Sequence, residues 1–184
     1  MRATLLHTND IHGRQERIAR IATLVGAAKA AARHPVLYLD AGDVEDSTNH
    51  LSNVTRGAAM HRLLGRAGCD AATVGNAGWL RYGMDVLAEH ARVSPHPQLA
   101  ANVAPVAGPV PSVLLGEIGV FGLTARLPGF VGIDFGAEWL DETDVAHATA
   151  RDLRWRGAKL VVLLSHLGLT DDRRLPQSCK RRST

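Results

Sequence analysis

Ala3-Thr4-Leu5-Leu6-His7-Thr8-Asn9-Asp10-Ile11-His12-Gly13 begins as a short, mostly apolar run and stops at a polar turn. Over residues 14–33, Ile18, Ile21, Ala22, Val25 and Ala28 then recur at helical spacing. A buried strand that hands over to an amphipathic helix is the repeating unit of an α/β fold, in which helices cover a largely parallel sheet. His34-Pro35 ends this first helix, because the residue before a proline is pushed out of the helical region.

The unit is then repeated. Residues 36–40 read as a second strand, and residues 41–54 as a polar, turn-rich stretch. Met60, Leu63, Leu64 and Ala67 mark a helix that stops at Gly68, residues 71–74 a third strand, and Met84, Leu87, Ala88 and Ala91 a third helix. After Pro97 the pattern changes: residues 99–103, 112–115 and 119–125 read as strands separated by Pro and Gly turns, with no helix between them. Residues 143–156 are again helical and residues 159–165 form an apolar strand. No internal repeat is visible. Residues 175–184 change composition abruptly and lack either periodicity, so they read as a disordered or non-native basic tail behind a domain of residues 1–174.

At 184 residues, 46% of them hydrophobic, the chain is large enough to bury one real core. With only 4% aromatics, that core is built mainly from Ala, Val, Leu and Ile. The net charge of +3 does not point to nucleic acid. Arg173, Arg174, Lys180, Arg181 and Arg182, set against Asp171 and Asp172, account for all of it and leave the rest neutral. Cys69 and Cys179 match no metal-binding or redox spacing. No apolar run approaches the ~18 residues of a membrane span, and no signal-like segment opens the chain, so the expectation is a cytoplasmic protein without a membrane partner.

Four polar clusters share one place in this pattern. Asp10 and His12 follow the first strand, Asp43 the second and Asn76 the third, while Ser165-His166 closes the last. In an open α/β sheet the carboxyl ends of the strands line a common crevice, where side chains distant in sequence converge. Each residue alone has an ordinary explanation in turn or cap chemistry. Together, carboxylate, imidazole and amide oxygen make a mixed N/O donor set suited to manganese, zinc or iron. Two such ions, roughly 3.5–4 Å apart, are a recurrent device for phosphoryl chemistry.

Leu6-His7-Thr8-Asn9-Asp10-Ile11-His12-Gly13 resembles the opening motif of the calcineurin-like metallophosphoesterases, in particular their 5′-nucleotidase branch. Asp40-Ala41-Gly42-Asp43 resembles the second motif and Gly75-Asn76 begins the third. Ala101-Asn102-Val103 is similar to the strand that follows, and Leu164-Ser165-His166-Leu167-Gly168 resembles the fourth motif. The resemblance spans residues 3–172 in the correct order. It implies a layered α/β/β/α sandwich, incomplete on its C-terminal side, and two divalent metal ions. Asp10 and His12 would bind the first ion, Asp43 would bridge both, and Asn76 and His166 would bind the second, with Asn76 also touching a substrate phosphate. The implied activity is phosphatase chemistry of nucleotide catabolism: metal-dependent hydrolysis of nucleotides or other phosphomonoesters and diesters.

The pattern breaks in two places. Where the third motif of the family continues with His-Glu, an aromatic residue and Asp, this chain reads Ala77-Gly78-Trp79-Leu80. The position of the catalytic histidine is therefore Ala77, which leaves no catalytic side chain to name, and the aspartate that orients it is replaced by Leu80. The Gly-His-x-His motif that supplies two further metal ligands is also missing from the sequence. The expectation is weakened metal binding and weak or absent activity, with a non-catalytic metal- or nucleotide-binding module as the alternative. A truncated or frame-disrupted copy and a chain completed by another are both open as origins. Missing strands would also expose a sheet edge to self-association. Trp79 and Arg81 lie beside the expected site, and core packing and solvent exposure are their simplest readings.

Overall fold

The first strand, β1 (Thr4–Thr8), pairs in parallel with β2 (Val36–Asp40), which pairs in parallel with β3 (Ala71–Thr73). The short β4 (Gln98–Leu99) extends this parallel sheet from β3, giving the order β1-β2-β3-β4. This computed structural model describes residues 1–104, 107–125 and 136–181, the last six by their backbone alone.

A second sheet lies against the first. Its hairpin, β6 (Ser112–Leu115) and β7 (Ile118–Thr124), is antiparallel, and β9 (Leu160–His166) joins β7 in parallel. Every residue of β7 is buried because both of its faces are covered. Ile118 and Val120 meet Leu39, Ala71, Leu99 and Leu164 between the sheets. The alternate residues Phe121 and Leu123 point outward to Ala146 and Leu153 of helix α6 (Glu142–Trp155). The sheets approach so closely that a Cβ at Gly122 would stand 2.3 Å from Thr73 Oγ1. On the other side, α1 (Gln15–Ala31) and α3 (Ala58–Arg66) cover the first sheet with Ile18, Val25, Met60 and Leu64, packed on Tyr38 and Ala72. The result is the expected α/β/β/α sandwich.

Several elements differ from the sequence reading. The single strand expected over residues 99–103 is two, because Asn102 turns the chain between them. Its fully buried side chain donates to the Thr124 carbonyl at 2.8 Å and accepts from the Thr124 amide at 3.0 Å. The chain leaves the first sheet at Leu99, and β5 (Val103–Ala104) instead pairs antiparallel with β8 (Glu138–Trp139). The turn-rich stretch contains a short helix, α2 (His50–Val54), whose N-cap Asn49 accepts from the Ser52 amide. Two further helices follow β3, α4 (Ala77–Tyr82) and α5 (Val86–Val93). At the far end, α7 (Leu169–Arg181) carries helical backbone into the stretch read as an irregular tail. Leu175 explains part of this, since it is buried in the cluster beneath α6, a tertiary contact that composition does not reveal. Residues 182–184 lie outside the described residues. Trp79 is buried, packed 5.4 Å from the Trp139 ring, and Arg81 is exposed.

Candidate metal centre

Beyond the carboxyl ends of β1 and β2 the two loops are laced together. The Asp10 amide donates to the Gly42 carbonyl (2.9 Å), the His12 amide to Asp43 (3.0 Å) and the Gly13 amide to Val44 (2.8 Å). These bonds hold three non-glycine residues in the left-handed region: Asp10 at φ 53°, His12 at φ 48° and Asp43 at φ 56°. Such conformations cost free energy and persist where surrounding structure imposes them, typically at functional sites. Here the strained residues are the three whose ligand atoms lie within 4.8 Å of one another. Asp10 Oδ1 is 3.3 Å from His12 Nε2, and the other ring nitrogen of His12 stands 3.8 Å from Asp46 Oδ2.

The loops after β3 and β9 complete the group. Asp43 is buried and accepts the Ala77 amide on Oδ1 at 2.8 Å. Its Oδ2 lies 3.4 Å from His166 Nε2, which is also 3.2 Å from Asn76 Oδ1. His166 Nδ1 meets the Ala41 carbonyl at 2.7 Å, a bond that sets the ring's orientation. Two glycines permit the convergence. A Cβ at Gly42, already at φ 101°, would come within 2.9 Å of both Gly75 and His166. Burial alone would lower the pKa of His166. The hydrogen bond and charge of Asp43, the Ala41 carbonyl and the charge of Asp10 outweigh it and raise that pKa to about 9. The carboxylate of Asp43 beside the ring and the charge of Asp10 thus make this a place suited to positive charge.

All five residues singled out in the sequence are thus assembled at the ends of β1, β2, β3 and β9. The donor atoms fit divalent cations in two overlapping sets: Asp10, His12 and Asp43 in one, and Asp43, Asn76 and His166 in the other. A cavity of about 440 Å³ opens beside Asp10, Asn76 and His166, with Asn9, Ser165 and Asp172 also in its lining. Sequence reasoning missed two acidic neighbours, Asp46 beside His12 and Asp172, which accepts the Ser165 hydroxyl at the cavity wall. Only Asp46 carried a signal, its place three residues after Asp43. The break at Leu80 has a packing counterpart: that side chain joins an apolar cluster with Val74, Trp79 and Val86.

No family model matches the chain. Its sequence is 27% identical to a snake venom 5′-nucleotidase of Crotalus adamanteus over 96% of this chain and 35% of that protein. It is 28% identical to that of Naja atra over 96% and 39%. Among solved structures, the 5′-nucleotidase precursor of Thermus thermophilus superposes with a TM-score of 0.77 at 26% identity, over 94% of this chain and 38% of the other. Sequence and fold both liken this chain to the N-terminal domain of the 5′-nucleotidases. The same fold recurs in the NAD nucleotidase of Haemophilus influenzae, with a TM-score of 0.76 at 22% identity over 93% and 35%. The chain spans little more than a third of the length of these proteins.

Proposed function

We propose that this chain is the metal-binding part of a phosphohydrolase acting on phosphate esters of nucleotides, with two divalent cations held by Asp10, His12, Asp43, Asn76 and His166. The observation that carries the reading is the convergence of these five side chains on Asp43, from four loops. Asp10 and His12 serve one ion, Asn76 and His166 the other, and Asp43 both. Such ions, when bound, polarise a phosphoryl oxygen and neutralise the charge that develops on it.

The chain's own residues do the remaining work. The half-buried Asn76 lines the cavity, where its amide nitrogen is placed to donate to a phosphate oxygen while its oxygen faces His166. Gly42 and Gly75 keep the ligand loops in contact. Ala77 stands where the family carries its catalytic histidine and has no proton to give, so a leaving group must depart without help from that position. General acid–base assistance is worth about 10²–10⁴-fold, so turnover by this chain is slow and favours leaving groups that need no proton.

Calorimetry with manganese and phosphate release from a nucleoside monophosphate test the proposal together. Both signals are expected in the unaltered chain and both are lost in Asp43→Asn. No binding at millimolar manganese, or full turnover in that variant, overturns it. The replacement of both members of the family's catalytic pair, at Ala77 and Leu80, favours a second reading, nucleotide binding without turnover. Equilibrium binding of the nucleotide with no phosphate released would select it.

A further inference from the structure

A second constellation of ligand-type side chains lies in the interior. Glu45, two residues beyond Asp43, turns away from the candidate centre and faces His61 of α3 and His90 of α5. All three are buried: Glu45 is 4% exposed, His61 6% and His90 2%. One ligand atom from each lies within 4.8 Å of the others, and the two imidazole rings are only 4.1 Å apart.

The contacts within this group are not those of a completed hydrogen-bond network. His61 Nε2 is buried without a hydrogen bond. Glu45 Oε2 stands 3.2 Å from it, at ion-pair distance. A ring nitrogen and a carboxylate oxygen at that separation match two ligands of one ion, since metal bonds of 2.0–2.1 Å in a tetrahedron put ligand atoms about 3.3 Å apart. His90 donates through Nε2 to the Arg56 carbonyl at 2.6 Å, the kind of outer contact that orients a metal-binding imidazole. Burial, reinforced by the neighbouring His61, lowers the pKa of His90 to about 4 and keeps it in the neutral, ligating form. Two glycines shape the space. A Cβ at Gly78 would stand 2.3 Å from Glu45 Oε1, and one at Gly57, at φ 87°, would stand 2.8 Å from His90 Nε2.

We propose that Glu45, His61 and His90 form a structural site for a single divalent cation of the zinc class, distinct from the centre built around Asp43. One carboxylate and two imidazoles are a donor set that zinc accepts, and the buried position makes the ion part of the folded core. Binding asks one adjustment of the surroundings. Gln98, whose amide nitrogen lies 3.3 Å from His61 Nδ1, 3.1 Å from Ser94 Oγ and 3.0 Å from His96 Nε2, has to turn its amide and exchange these contacts so that its oxygen meets the Nδ1–H, freeing the Nε2 lone pair for the metal. This site does not depend on the phosphohydrolase reading, and it ties α3 and α5 to the loop that carries Asp43.

The test uses the full chain carrying Asp10→Asn and Asp43→Asn, which disables the candidate centre, produced with zinc and dialysed into metal-free buffer. One zinc per chain is expected by elemental analysis. Adding Glu45→Gln should weaken zinc binding at least ~100-fold, a loss on the scale that follows disturbance of a metal site, while far-ultraviolet circular dichroism confirms the fold. No retained zinc before that change, or the same zinc content after it in a folded protein, overturns the proposal. Should the glutamine variant fail to fold, nuclear magnetic resonance of the imidazoles in the chain carrying only Asp10→Asn and Asp43→Asn decides. The His61 and His90 signals shift with one equivalent of zinc, and unmoved signals overturn the site.

Discussion

Gly75 and Asp43 are in such close contact that a Cβ at position 75 would stand 2.0 Å from Asp43 Oδ1 and 2.3 Å from its backbone nitrogen. The missing side chain is what lets the loop after β3 close on the loop after β2. Gly75→Ala therefore has to push one of them back. It is expected to cost about 1–3 kcal/mol, the usual range for overpacking, and to weaken manganese binding by displacing Asp43. Urea unfolding and calorimetry read the two effects, and an alanine variant with unaltered affinity would show that Asp43 does not sit where the ion binds.

Restoring the missing pair is the complementary experiment. Ala77→His together with Leu80→Asp should raise phosphate release by up to about 10²–10⁴-fold. The gain should be largest for a nucleotide and smallest for an aryl phosphate with a good leaving group. Leu80 packs among apolar residues, so the aspartate also lowers stability. An equal gain on both substrates would mean that the new histidine is not assisting departure.

Asp40 supplies a pH dependence. Burial raises its pKa, and despite donors from Thr8 (2.5 Å) and the Gly42 amide (3.0 Å) the carboxyl titrates at about 7 in the fold. The unfolded chain gives up this proton near pH 3.9. Between those values the folded state holds more protons, so the Asp40 contribution is fully present below about pH 4 and is lost as pH rises to about 7. The slope approaches about −1.4 kcal/mol per pH unit at most. Asp40→Asn keeps a neutral acceptor and removes the decline. Denaturant unfolding of both proteins across this window should show the variant gaining on the parent as pH rises, and parallel curves would refute the assignment.

Asn102 holds the crossover between the two sheets through its paired bonds to Thr124. Asn102→Ala leaves two buried backbone groups without partners, at about 1–3 kcal/mol each. Measured unfolding free energy should fall by several kcal/mol, and a loss below about 1 kcal/mol would mean that water replaces the amide.

The division between sequence and tertiary structure follows the range of the forces involved. Strand and helix periodicity are local, so residues 3–8 and 14–33 already declared an α/β chain. Asp10, His12, Asp43, Asn76 and His166 were legible because each follows a strand, and parallel strands bring their carboxyl ends to one edge. Packing between distant segments leaves no periodic trace. Asn102 split one expected strand between two sheets by bonding to a residue 22 positions away. Leu175 lies buried beneath α6 within a stretch whose composition read as an irregular tail. Glu45, His61 and His90 share no motif and no spacing, and only the docking of α3 and α5 beside the Asp43 loop put three ligand atoms within reach of one ion.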